Sequence, residues 1–342
     1  MSKQASVLLI YTGGTIGMKV DSKTGALVPF NFEHIKKQVP ELEKLSIDLS
    51  SFSFSPPIDS SDMNPEAWIK IASVIEDNYE KYDGFVVLHG SDTMAFTASA
   101  LSFMFENLSK PIILTGSQLP IGTMRTDGKE NLITSIEIAA AKENGQSIVP
   151  EVSIFFEDQL FRGNRTHKFN SENFNAFQSP NFPVLAEAGV TIKYNREKIH
   201  KSRLKKLLVE KELNTQIAIL TLFPGISKQT VEAIRSIKGL KGLILETYGS
   251  GNAPGVQWFI DLLKSAIGDG IIILNVSQCN SGSVKQGIYQ TSKELEKIGV
   301  VSGHDITREA AVTKLMYLLG KNISQQKRIK LLSESLKGEI SI

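Results

Sequence analysis

Short apolar runs recur along this chain, each closed by a turn of glycine and hydroxyl residues, and they alternate with segments of helical spacing. Runs at 7–11, 85–88 and 111–114 end in Thr12-Gly13-Gly14-Thr15, His89-Gly90-Ser91-Asp92-Thr93 and Thr115-Gly116-Ser117. Runs of this length, separated by helical patterns, are the signature of βα units on a parallel sheet. Helices are expected near 65–80, from the second turn to about 105, and at 131–142, with a further strand at 152–156. Pro65 follows Asn64 and suits the first turn of its helix. The alternation restarts later, with strands at 217–222, 242–245 and 271–276 and helices near 229–237, 255–267 and 305–319. A charged helical segment at about 324–337 closes the chain. The expected fold is α/β, in two domains, with mostly parallel sheets flanked by helices.

With 342 residues the chain is long for one ordinary domain. Hydrophobic residues make up 41% and charged residues 22%, enough for a large core. The pattern changes at 189–214, where Lys193, Arg196, Lys198, Lys201, Arg203, Lys205 and Lys206 crowd together. Without interleaved aromatics this reads as a solvated linker, not a nucleic-acid groove. The division expected is an N-terminal catalytic domain at 1–190, a basic linker at 191–215 and a smaller C-terminal domain at 216–342.

Thirty-eight basic residues oppose 36 acidic ones, a net charge of +2, so no electrostatic case exists for nucleic acid or an anionic membrane as partner. Cys279 is alone and cannot form an intramolecular disulfide or a cysteine zinc cluster. His34, His89, His167, His200 and His304 show no metal-binding spacing, so neither metal nor cofactor is expected. The first apolar run is too short for a signal-peptide core, and no apolar stretch reaches the roughly 18 residues that span a bilayer. A cytoplasmic location is the expectation.

In open parallel sheets, ligands bind beyond the carboxyl ends of the strands, so the hydroxyl-bearing turns should converge on one crevice. The glycines of Thr12-Gly13-Gly14-Thr15 permit positive φ and close approach, and their N–H groups can face an anion or a developing oxyanion. A structural turn with a capping threonine fits the same residues, whereas neither GxxxxGK[ST] nor GxGxxG is matched. Ser91 beside Asp92 can orient a proton relay or cap the next helix. The loop Asp59-Ser60-Ser61-Asp62 suits a small zwitterionic ligand or an ordinary helix start. Lys168 follows a strand, and a lysine buried near hydroxyls can act as a base. No GxSxG elbow and no cysteine–histidine signature is present.

Taken together, these segments resemble the asparaginase family, in particular its cytoplasmic type I branch. The similar stretches are YTGGTIGM at 11–18, DSSDM at 59–63, YDGFVVLHGSDTMAFTASAL at 82–101, TGSQLP at 115–120 and FRGNRTHK at 161–168, then FPGIS at 223–227, YGSGNAP at 248–254 and SQCNSG at 277–282. The resemblance implies hydrolysis of L-asparagine to L-aspartate and ammonia without a cofactor. It places Thr15 at the nucleophile and Ser91, Asp92 and Lys168 at the second catalytic constellation. It places Ser60, Ser61 and Asp62 at the amino-acid head group, with Ser91 and Asp92 also contacting substrate. It further implies self-association to a dimer or tetramer that completes the site, with Asn252 as a candidate contribution from the partner chain.

Three departures from the family pattern stand out. Ser91 replaces the usual threonine and keeps the hydroxyl. The loop 19–30 has no tyrosine to assist the nucleophile, and Leu27 stands near that position. Some members bind a second asparagine through an arginine where this chain has Glu246, with His167 replacing a small polar residue nearby. A carboxylate there would repel the effector's carboxylate, so that response is expected to be lost or altered. The alternative readings are a related amidase, either a glutaminase-asparaginase or an amidotransferase-type subunit, and a non-catalytic amino-acid sensor. The amidotransferase subunit normally carries an extra N-terminal domain, and the first strand here begins within ten residues of the chain start.

Overall fold

The computed structural model describes residues 4–20, 27–29, 38–201, 205–287 and 290–341. The chain divides into two compact units, one of residues 1–179 and 183–211 and the other of residues 180–182 and 212–342.

The first unit is built on an eight-stranded sheet. In chain order its strands are β1 (Ala5–Tyr11), β2 (Ile47–Ser53), β3 (Gly84–Leu88), β4 (Ile112–Thr115), β5 (Val152–Phe156), β6 (Gln159–Arg162), β7 (Ala186–Ala188) and β8 (Ile192–Tyr194). Their spatial order is β8-β7-β6-β5-β4-β3-β1-β2. Strands β2, β1, β3, β4 and β5 run parallel, and β6, β7 and β8 extend the sheet antiparallel. Every residue of β3, β4 and β5 is buried, as expected of strands covered on both faces. The helices are α1 (Pro65–Asn78), α2 (Met94–Met104) and α3 (Gly128–Ala140). Asn64 caps α1 by accepting from the Ala67 amide at 2.9 Å, with Pro65 in the first turn as expected. Helix α2 is apolar almost all round and buried along nearly its whole length.

The second unit holds a four-stranded parallel sheet of β9 (Ile217–Thr221), β10 (Gly242–Thr247), β11 (Ile272–Ser277) and β12 (Val301–Ser302), in that order. Around it lie α4 (Lys228–Arg235), α5 (Gln257–Gly268), α6 (Gln290–Ile298), α7 (Arg308–Gly320) and α8 (Gln325–Ser333). Leu220, Leu243, Leu245, Phe259, Leu263 and Ile273 form the centre of its core. Helix α7 carries Lys314, whose fully buried ammonium lies 2.7 Å from the fully buried Glu339 carboxylate and also donates to the carbonyls of Leu332 and Glu334. Glu339 in turn accepts from the amides of Leu336 and Lys337, so the chain end is pinned to α7.

The segment expected as a free basic linker, 191–215, is largely incorporated in the first unit. Lys193 lies on the edge strand β8. Arg196 forms a two-pronged pair with Glu143 at 2.8 and 3.2 Å. The Lys198 carbonyl accepts from Arg162, and Leu208–Val209 pairs with Phe105–Glu106. Arg203 and His34 lie outside the described residues. The unit boundary falls instead between 211 and 212, with the excursion of 180–182 into the second unit. In that excursion Asn181 accepts from the Gly282 amide at 2.8 Å and donates to the carbonyls of Gly282 and Asp305. Strand β8 is only three residues long with exposed Lys193 at its centre, which hides it from a reading by hydropathy.

Candidate functional site

The carboxyl ends of β1, β3 and β4 bring the expected turns together. After β1, the Thr12 amide and hydroxyl both donate to the Leu88 carbonyl, at 3.0 and 2.9 Å, tying this turn to the end of β3. Gly14 has φ +89°, and a Cβ on it would lie 2.5 Å from the Gly90 nitrogen. Only glycine lets these two turns touch. A Cβ on Gly90 would in turn lie 2.5 Å from Ser60 Oγ, so the loop before α1 closes onto the same point. The Ile58 amide donates to the Thr12 carbonyl at 2.7 Å, and the Thr93 hydroxyl donates to the Ser60 carbonyl at 2.6 Å.

Thr15 opens a short helical turn, Thr15–Gly17, directly after Gly14. Its side chain is half-buried and hydrogen-bonds no described residue. Beneath it the Tyr11 phenol donates to the Gly17 carbonyl at 3.2 Å, and burial pushes that phenol up to about 12. The phenol is thus neutral and tied to the turn. The chain continues into a hairpin in which Met18–Val20 pairs with Leu27–Pro29, Val20 facing Leu27 across the backbone. Residues 21–26 and 30 lie outside the described residues.

Ser91, Asp92 and Lys168 form one cluster. The Lys168 ammonium donates to Ser91 Oγ at 2.8 Å and to Asp92 Oδ1 at 2.5 Å. Its side chain is 14% exposed against 68% for Asp92, so the pair joins a largely buried cation to an open carboxylate. Lys168 is held by a two-stranded hairpin, His167–Lys168 against Phe177–Gln178. His167 is half-buried on the same strand.

The head-group candidates separate by environment. Ser60 is buried, whereas Ser61 and Asp62 are exposed. Asp59 accepts from the Ser61 amide and hydroxyl, both at 2.9 Å, and these bonds hold its carboxyl below the usual range. The Ser61 hydroxyl is thus engaged with Asp59.

Sequence reasoning assigned no role to two further groups. Fully buried His89 contacts the Gly90 carbonyl through Nδ1 at 2.7 Å and Thr97 Oγ1 through Nε2 at 2.9 Å. The Trp68 indole can only donate, and it donates to Thr97 Oγ1 at 2.9 Å. The Thr97 proton must then go to Nε2, which leaves the His89 proton on Nδ1 and aimed at Gly90. Burial holds the imidazole down to about 4, so it stays neutral behind the turn. The second group is Gln118 with Asp127, beyond β4. Asp127 precedes α3, yet its carboxylate accepts from the Gln118 amide at 2.9 Å and the Leu119 amide at 3.2 Å. Desolvation holds it above the usual carboxylate range despite these bonds. The TGSQLP stretch at 115–120 was a signal for Gln118 alone, and Asp127 lies outside it.

In the second unit, Glu246 is the penultimate residue of β10, with 1% of its surface exposed. Its carboxylate accepts from Thr221 Oγ1 and from both Nε and Nη2 of Arg308, the latter at 2.8 Å. The expected repulsion of an effector carboxylate therefore loses its basis, because the charge of Glu246 is neutralised by its own guanidinium partner. Asn252 lies in the loop after β10, where it and Tyr248 form an isolated bridge. Among the described residues, no group of three or more His, Cys, Asp or Glu side chains is arranged to hold a metal ion. No helix among them is long and apolar enough to cross a membrane.

A mostly parallel sheet with hydroxyl-bearing turns meeting a lysine–carboxylate pair defines an α/β enzyme-like site at a strand-end crevice. Residues 6–200 match the family model described as Asparaginase, N-terminal, and residues 216–332 match that of the Glutaminase/Asparaginase C-terminal domain. The chain belongs to the asparaginase family. It is 41% identical over 343 residues to "L-asparaginase 1" of Escherichia coli strain K12, covering 99% of both chains. It is also 41% identical to the "60 kDa lysophospholipase" of Mus musculus, covering all of this chain and 64% of that one. Among solved structures, L-asparaginase I from Vibrio cholerae matches with a TM-score of 0.90 and 40% identity over 99% of this chain and 100% of that one.

Proposed function

We propose that this protein hydrolyses the side-chain amide of L-asparagine to L-aspartate and ammonia, with Thr15 as nucleophile. The observation that carries the reading is the Lys168–Ser91–Asp92 cluster, at 2.8 and 2.5 Å, built on a turn whose Gly90 abuts the Gly14–Thr15 turn. Thr15 Oγ attacks the carboxamide carbon while its proton passes to the departing nitrogen, forming an ester and releasing ammonia. Water then attacks the ester carbon, its proton passing through the Ser91 hydroxyl to Lys168 as the neutral amine, and the resulting ammonium returns a proton to the Thr15 oxygen as aspartate leaves. Backbone N–H groups near Gly14 and Gly90 stabilise the oxyanion, at about 3–4 kcal/mol per donor where such donors have been removed. On this reading Asp92, with 68% of its side chain exposed, receives the substrate α-ammonium, and Ser60, Ser61 and Asp62 receive the rest of the head group. The same reading takes the active form as a dimer or tetramer in which the partner chain supplies Asn252, and it takes the location as cytoplasmic.

The test is ammonia release from L-asparagine, with L-glutamine and a lysophosphatidylcholine as competing substrates. Turnover of asparagine is expected, and Thr15→Ala should abolish it. Near-normal turnover in that variant would refute the nucleophile assignment. Preference for either competing substrate would refute the substrate.

A further inference from the structure

Ser91 Oγ has two polar neighbours with opposite demands. Lys168 Nζ can only donate, so at 2.8 Å it takes a lone pair of the hydroxyl. The single Ser91 proton then goes to the other neighbour, Gln118 Oε1, at 3.3 Å. The orientation of the Gln118 amide is itself settled by a third contact. Its Nε2 lies 3.1 Å from the Asn173 carbonyl, which can only accept, so the nitrogen must face Asn173 and the oxygen must face Ser91.

Asn173 sits in the loop of the hairpin that carries Lys168. Asn170 Oδ1 shapes this loop by accepting from the amides of Glu172 and Asn173, and the Phe169 amide donates across it to the Ala176 carbonyl. Gln118 therefore ties the turn bearing Ser91 to the hairpin bearing Lys168. Its own backbone is fixed by the Asp127 carboxylate, and Asp127 is held by Asn131, whose Oδ1 accepts from the Glu157 amide. The charged side chains hydrogen-bonded into this chain of contacts are Lys168, Asp92 and Asp127.

We propose that Gln118 is a positioning residue of the hydrolytic site: its amide bridges the Ser91 hydroxyl to the Lys168 hairpin and turns the hydroxyl proton away from the ammonium. The inference rests on the reading of Ser91 and Lys168 as one hydrolytic pair. An acceptor opposite the ammonium holds the Ser91 proton outward and leaves a lone pair of its oxygen on Lys168 Nζ. Removing the acceptor withdraws that support, and replacing it with a carboxylate strengthens it.

The experiment measures kcat, KM and the pH dependence of kcat/KM for asparagine in Gln118→Leu, Gln118→Glu and Ser91→Ala, with Tm for each. Gln118→Leu is expected to lower kcat about 10- to 100-fold, a fraction of a full acid–base contribution, with KM changed less than about threefold. Its acid limb should move to lower pH. Gln118→Glu keeps an acceptor toward Ser91 and adds a charge, so its acid limb should move to higher pH. If both limbs stay in place, or move the same way, the positioning role is overturned, whatever happens to Tm. Should Gln118→Leu fail to fold, the upward displacement in Gln118→Glu decides alone. Retained activity in Ser91→Ala would overturn the hydrolytic pair itself. Lost activity there, with unmoved limbs in the Gln118 variants, would overturn only the role of Gln118.

Discussion

The Lys168 ammonium lies 2.8 Å from the Ser91 hydroxyl across 77 residues of sequence, one on a two-stranded hairpin and the other on the turn after β3. The geometry depends on a cation of defined reach. Lys168→Met keeps the stem and removes the charge, and kcat for asparagine is expected to fall about 10²- to 10⁴-fold, the range of a lost acid–base group. Lys168→Arg retains charge with a wider planar head and should not restore the rate. A Lys168→Met enzyme within a factor of three of wild type would rule out the role.

Gly14 marks the close approach between the turns that carry Thr15 and Ser91. Alanine there must adopt φ near +89° and push its Cβ onto the Gly90 backbone. Gly14→Ala is expected to destabilise the protein by about 1–3 kcal/mol and to lose activity through the displaced turn. Gly90→Ala meets the Ser60 side chain instead, so its effect should fall mainly on KM. Urea unfolding and initial-rate kinetics on the two variants separate these outcomes.

His89 makes stability depend on pH with a definite sign. Its folded value is depressed to about 4 from 6.5, so between those values the unfolded chain binds the extra proton. Stability is therefore full above pH 6.5 and declines as pH falls toward 4. At pH 5 the loss relative to pH 7 is about 2 kcal/mol from this group. His89→Asn should flatten the Tm difference between those pH values, and an unchanged slope would show that another group is responsible.

The buried Lys314–Glu339 pair at 2.7 Å is the clearest case of a single-partner penalty in the second unit. Glu339→Gln leaves the ammonium without its counter-charge and should cost about 3–5 kcal/mol in unfolding free energy. Adding Lys314→Met to it should recover part of that loss. A Glu339→Gln change below 1 kcal/mol would mean that water or the Leu332 and Glu334 carbonyls suffice.

Periodicity exposed the elements whose burial is one-sided or complete. The runs around Val86, Ile113 and Ile154 became β3, β4 and β5, and the helix after Asn64 begins where its cap and proline placed it. What stayed hidden was structure stabilised by pairing alone. Strand β2 mixes Asp48, Ser50, Ser51 and Ser53 with Ile47, Leu49 and Phe52 and lies at the sheet's outer edge, so it shows no continuous apolar run. Strands β7 and β8 are three residues each and half-exposed.

At the site, turn chemistry marked Thr15, Ser91 and Lys168 as hydroxyl and amine groups at strand ends, and family resemblance supplied their roles. The side-chain partners of these groups were not legible. Gln118 reaches Ser91 across 27 residues, and Arg308 reaches Glu246 across 62. Neither spacing carries any local signature. Glu246 shows the hazard most plainly, since a charge read alone suggested repulsion that its guanidinium partner removes.

The excursion of residues 180–182 means that the backbone crosses the unit boundary three times rather than once. A cut at 211/212 would give a C-terminal fragment without Asn181, leaving the Gly282 amide and two carbonyls without their side-chain partner. The halves are therefore poor candidates for exchange as cassettes among relatives. A working chimera needs to transplant the short insert together with the fragment it stitches.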